Sequence, residues 1–179
     1  NTAEQAKMTA RLASGTPIGE ITDVKGTAFI AKDPSACAYP KVECPSFEEV
    51  STDKWAYAQA NQIQYEEHDP IRGRAILQRH GDRLLICNPP AMPLTTQELD
   101  AVFELPYVRE PHPMYDELGG VPAIEEVRFS VAHNRGCFGA CNFCSLAFHQ
   151  GRTISARSHE SVIREVTALT KHPGFKGYI

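Results

Sequence analysis

Cys137, Cys141 and Cys144 stand within eight residues of one another, in the stretch Arg135-Gly-Cys-Phe-Gly-Ala-Cys-Asn-Phe-Cys144, at the spacing C-x3-C-x2-C. Thiolates are soft ligands, suited to zinc and to iron–sulfur clusters. Gly136 and Gly139 free the backbone to curl so that three sulfurs point inward. A cubane cluster has four irons, so three cysteines leave one iron open, as a catalytic metal keeps a vacant position. Zinc is the competing reading. His149, five residues after Cys144, would then complete a closed Cys3His site in a non-catalytic module.

Other residues invite weaker readings. Cys37, Cys44 and Cys87 could hold a second cluster, but Cys87 ends the apolar run Leu84-Leu85-Ile86 and reads better as a buried thiol. Arg152 and Arg157 could face a carboxylate or phosphate; ordinary surface pairing is the plainer expectation. Arg72, Arg74, Arg79 and Arg83 decorate one hairpin, where solvated edge charges are expected. His149 otherwise reads as a polar loop residue.

These residues sit in a chain of 179, with 42% hydrophobic and 22% charged residues, a globular composition and not a disordered one. Six cysteines at this length do not make a disulfide scaffold, and nothing secretory accompanies them, so a reducing compartment and a metal site fit better. No run approaches the length of a membrane span. The net charge of −4 argues against a global basic field for nucleic acid. The charge is uneven, however. From Arg128 onward there are seven Lys/Arg against two Asp/Glu, and before it eleven against twenty. A basic end of this kind could meet an anionic ligand, nucleic acid included under the zinc reading.

The elements that must position the cysteines follow from periodicity and punctuation. A helix is expected over residues 2–12 and a strand over 26–31. Asp33-Pro34 breaks that strand, and a loop carries Cys37, Pro40, Cys44 and Pro45. Ser46 and Glu49 form a capping box before a long helix from about Thr52 to His68, with Trp55, Ala58, Gln62 and Tyr65 on one face. Residues 75–77 and 84–86 flank a His80-Gly81-Asp82 turn as a hairpin. Thr95 and Glu98 cap a short helix through Phe103. Four prolines and Gly119-Gly120 then mark a linker over 105–122. Beyond it, Val127, Phe129 and Val131 alternate as a strand that leads into the cysteine loop. Ser158 caps a helix with a Val162, Val166, Leu169 stripe, and 175–179 reads as a second strand. Strand, loop, helix, strand predicts a βαβ unit with parallel strands. The fold class expected is α/β: an α+β module over 1–104, the linker, and a second domain starting at 123.

The cysteine spacing with an aromatic Phe143 before the third cysteine resembles the motif of radical S-adenosylmethionine enzymes. More narrowly, Arg135 to Arg152 resembles the YgiQ-like family of bacterial radical SAM proteins. The likeness extends through Gly120 to Phe129, Asn88 to Leu94, Ser46 to Lys54 and Ala31 to Cys37, nearly the whole chain, and it displaces zinc. The resemblance implies that Cys137, Cys141 and Cys144 hold a [4Fe–4S] cluster, with Phe143 beside the adenine of S-adenosylmethionine. It implies reductive cleavage to a 5′-deoxyadenosyl radical. It also implies an electron donor such as a flavodoxin or ferredoxin, a cytoplasmic setting without membrane, and a partial (β/α) barrel of which 123–179 is the opening βαβ. On this reading the chain is a piece of a longer enzyme, ending inside the second barrel strand and inactive alone. The family's glycine-rich segment on that strand is absent, and no substrate is implied.

Overall fold

Helix α1 (Thr2–Ala13) opens the computed structural model, which describes residues 2–179. It stops before Gly15, whose φ of 90° is the left-handed conformation that ends helices. Strand β1 (Ala28–Ala31) follows where expected. The segment expected as a loop through Cys44 is instead strand β2 (Lys41–Cys44). Its residues alternate Lys, Val, Glu, Cys, a pattern of period two that the flanking Pro40 and Pro45 bound and do not interrupt.

The capping box is real but caps a different helix from the one predicted. The Ser46 hydroxyl accepts from the Glu49 N–H, and the Glu49 carboxylate accepts from the Ser46 N–H, at the head of α2 (Phe47–Thr52). Asp53 then leaves helical geometry and caps a second helix, α3 (Lys54–Glu67), accepting from the Trp55 N–H at 2.9 Å. An aspartate side chain that competes for backbone donors is what divides the run. The apolar face was also mispredicted. Trp55 is 83% exposed, and the residues α3 buries are Ala60 and Glu67.

Strands β3 (Ala75–His80) and β4 (Arg83–Cys87) form the expected hairpin across Gly81-Asp82, with Gly81 at φ 61°. The sheet order is β1-β4-β3-β2, with β2 parallel to β3 and the other pairs antiparallel. A parallel pair needs a crossover, and α2 with α3 supplies it. A βαβ unit therefore exists in this chain, but near its start. Ala75, Leu77, Leu84 and Ile86 are buried together with Cys37, and Phe29, Ala31 and Tyr39 pack against them.

The chain groups into two compact units, one up to Pro93 with Gly136–Ile154, the other Leu94–Arg135 with Ser155–Ile179. The 105–122 segment lies inside the second. That unit begins with α4 (Thr96–Phe103) under the expected Thr95–Glu98 capping box. The Pro-rich stretch contains a 3-10 helix, Pro113–Leu118, and leads to α5 (Ile124–Val127). Residues 127–131, expected as a strand, are the end of α5 and turns, and 175–179 is not a strand either. A lone parallel pair with no flanking strands is marginal. The aromatics pack locally instead, with Phe129 5.4 Å from both His172 and Phe175, edge to face. Strand β5 (Asn134–Arg135) pairs antiparallel with β6 (Ser155–Ala156), and the short helix α6 (Leu146–Gln150) lies on the excursion between them. Helix α7 (His159–Leu169) has the predicted Ser158 cap, and Leu169 of its stripe is buried. No described helix is long and apolar enough to cross a membrane.

Arg157 is the centre of the second unit, and it is not at the surface as its type suggested. Its side chain is 0% exposed. It donates to the Ser161 hydroxyl, to the Ala132 carbonyl at 3.1 Å and to Glu165, and it lies 4.4 Å over the Phe103 ring. Arg109, at a φ of 58°, also donates to Glu165. A cavity of about 380 Å³ opens beside these groups and Arg164, and all three guanidinium groups are already paired with Glu165 or Glu104. Removing one partner of a buried pair leaves the other charge poorly compensated. Arg157→Met should therefore cost roughly 3 kcal/mol, read as a lowered denaturant midpoint. An unchanged midpoint would show that Arg109 alone suffices for Glu165.

In the first unit the buried carboxylate is Glu67. It accepts from the Arg74 backbone N–H, from Arg74 Nε at 2.9 Å and from Arg74 Nη2. The Arg74 guanidinium holds the Glu67 carboxyl below the usual carboxylate range. A lowered folded-state value means stability that is complete above the unfolded value of about 4.3 and is lost as pH falls through the lower folded one. Glu67→Gln should cost roughly 2 kcal/mol at pH 7. The variant and the unsubstituted protein should converge at acid pH, and denaturant midpoints at pH 7 and pH 3 that differ by the same gap would refute this.

Candidate metal centre

The cysteine loop is tied at its neck. The Gly136 N–H donates to Gln150 Oε1 at 3.2 Å, and the Cys137 N–H donates to the Gly151 carbonyl at 3.0 Å. Gly136 has a φ of 94°, and a Cβ there would stand 2.2 Å from the Thr153 carbonyl oxygen. The two limbs thus meet at a point that only glycine fits. Sequence reasoning assigned Gly136 to curling the loop; its stronger role is this contact, and the pairing with Gln150, Gly151 and Thr153 was missed. A paired glycine at each end of the loop was the available signal.

Within the loop, Cys137 is half-buried while Cys141 and Cys144 are exposed, and all six cysteines of the chain are free thiols. The Gly139 N–H approaches Cys137 Sγ at 3.4 Å. The position a Gly139 Cβ would take lies 3.4 Å from Cys137 Sγ and 3.7 Å from Cys141 Sγ, so two sulfurs share one bare glycine face. Ala140 between them takes a φ of 47°, unusual for a residue with a Cβ, which turns the chain sharply at that point. The Cys144 N–H donates to the Cys141 carbonyl at 3.0 Å, which closes the second turn.

Among the described residues no three His, Cys, Asp or Glu side chains gather closely enough to hold a metal ion. The donor chemistry nonetheless suits a soft metal group, because the glycine-hinged turns carry three free thiols, two of them exposed. Sites of this kind are seldom preformed, since binding the metal is coupled to folding its loop. Phe143 is 92% exposed beside Cys144, with its ring free to meet a flat ligand. His149 is exposed near the end of α6, its N–H held by the Ser145 carbonyl.

The remaining thiols differ in kind. Cys37 and Cys44 are buried, and burial pushes the Cys44 thiol up, as it does for the half-buried Cys87. Thiols raised in this way stay protonated at neutral pH and are poor ligands. They belong to the packing of the sheet.

The chain belongs to the Radical SAM N-terminal family, whose model matches residues 2–130. The cysteine loop lies just beyond that match. The chain is 50% identical over 165 residues, 92% of its length, to a UPF0313 protein of Clostridium botulinum. It is 48% identical over 169 residues to a UPF0313 protein of Methanocella arvoryzae, and 46% identical over 159 residues to one of Clostridium perfringens. The matches cover 94% and 89% of this chain, respectively. It spans about a quarter of the length of these relatives, 25%, 28% and 24% in turn. A stretch of 165 residues within 179 contains the cysteine loop wherever it is placed. No solved structure matches the chain.

The neck predicts its own test. Gly136→Ala should open it at a cost of roughly 2 kcal/mol, read as about 30-fold faster tryptic cleavage after Arg135. Unchanged cleavage would mean that the Thr153 contact does not hold the loop.

Proposed function

We propose that the chain is the N-terminal part of a radical SAM enzyme, with Cys137, Cys141 and Cys144 as the ligands of a [4Fe–4S] cluster. One observation carries the reading: three free thiols on one glycine-hinged loop, in a chain that belongs to a radical SAM family. A cluster held by three cysteines supplies, when bound, the electron for reductive cleavage of S-adenosylmethionine at its open iron. The chain's own residues do the holding. Gly139 clears space for two sulfurs, the neck fixes Cys137, and Phe143 offers a ring face to the adenine. The electron comes from a carrier such as a flavodoxin or ferredoxin, in the cytoplasm.

Residues 123–179 open the partial barrel. Residues 1–104 serve it as an accessory module. Supporting this over a zinc module is the family membership.

Anaerobic reconstitution with iron and sulfide should give about four irons per chain and a brown thiolate-to-iron absorption. Cys141→Ala should abolish both. Cys87→Ala should keep both and cost about 1 kcal/mol of packing. Stoichiometric zinc with no iron uptake would overturn the proposal.

A further inference from the structure

The last turn of a helix leaves four carbonyls without intrahelical donors. In α3 one of these is the carbonyl of Tyr65, and its donor comes from far along the chain. Arg152, directly after the neck glycine Gly151, donates from Nη2 to the Tyr65 carbonyl at 2.9 Å. The same guanidinium lies over the Tyr65 ring, with Cζ 3.7 Å from its centroid. Arg152 Nε is buried and finds no hydrogen-bond partner, so the ring face is what meets that part of the group. A cation at a helix C-terminus is also favoured by the helix dipole. Phe148 of α6 adds a second contact, 5.8 Å from the Tyr65 ring and 5.5 Å from that of His68.

What Arg152 grips is itself rigid. Glu67, two residues beyond Tyr65, is locked by Arg74. The Asp69 carboxylate accepts from the N–H groups of Ile71 and Arg72, and the Asp69 carbonyl accepts from Gly73 at 2.8 Å. A Cβ at Gly73 would stand 2.3 Å from that carbonyl oxygen and 2.4 Å from that of Glu67, so the turn is packed shut. A loop whose cysteine tip is exposed is thus bolted, by one side chain at its base, to a helix end that is itself fastened by hydrogen bonds.

We propose that Arg152 is a positioning residue for the cysteine loop, and that the C-terminus of α3 is its seat. Tyr65 supplies the ring and the carbonyl, Phe148 steadies α6, and the hold passes through Gly151 to the Cys137 N–H. Its bearing on a cluster rests on the functional proposal above; the seating of the loop does not.

The test has two arms on the full chain. In the metal-free protein, Arg152→Ala should raise hydrogen exchange at the Cys137 and Gly151 amides by about tenfold, with β3 and β4 unchanged. Arg152→Lys keeps a charge for the carbonyl but not a planar group for the ring, so it should restore part of the protection. Tyr65→Leu, which keeps the carbonyl and removes the ring, should be intermediate, like Arg152→Lys. Unchanged exchange in Arg152→Ala, or a loss spread equally over β3 and β4, would overturn the seat. After reconstitution, Arg152→Ala should take up less iron and shift the electron paramagnetic resonance g-values of the reduced cluster, with Arg152→Lys intermediate. Spectra identical to those of the unsubstituted protein would refute the positioning role. Absence of iron in the unsubstituted protein would sink the cluster proposal alone, leaving the exchange arm to decide on the seat.

Discussion

A carboxylate taken out of water has to be met by donors, and Glu67 meets all of its recorded donors in a single residue, Arg74. That bond closes the chain between α3 and β3 into a tight turn with room for no side chain at Gly73. The strand it launches lies inside the sheet, paired with β4 on one edge and β2 on the other. The register of three strands therefore follows from where this turn ends. The same helix end offers Tyr65 to Arg152, so sheet and cysteine loop are referred to one fixed point.

The two units reach stability by different routes. The first packs Leu77, Leu84 and Ile86 into a dry sheet core. In the second, Arg157 and Glu165 sit at the centre, with Arg109 and Ser161 completing the polar set. Such a centre contributes less net free energy than an apolar one of equal volume, yet it is unforgiving of the loss of a member. The second unit also keeps several apolar side chains in water, among them Val108, Met114 and Leu118.

Local chemistry was legible in the sequence; partnerships across the chain were not. Both capping boxes, the β3–β4 hairpin and the Ser158 cap depend on residues three or four apart, and each was readable. Strand β2 was hidden because two prolines around it read as loop, although its alternation was plain once a partner in β3 is known. The alternation at Val127, Phe129 and Val131 misled for the opposite reason, since a strand pattern without a neighbouring strand has no ladder to join. At the cysteine loop, the thiol spacing was legible and the neck was not. Gln150 pairs with Gly136 across fourteen residues and Arg152 with Tyr65 across eighty-seven, separations at which residue type carries no trace of its partner.

The sheet order also dictates the sequence in which its parts can assemble. β3 and β4 are joined by two residues and can zip as a unit, without waiting for any distant segment. β2 reaches β3 across the longer segment that carries α2 and α3. β1 must close the longest loop, since Ala31 pairs with Leu84 and Ala28 with Cys87. The entropy of closing a loop grows only with the logarithm of its length, so this last pairing is delayed more than it is weakened. Until it forms, β4 carries an open edge, and a nascent chain emerging with its N-terminal strand first holds β1 in waiting for a partner that is synthesised more than fifty residues later.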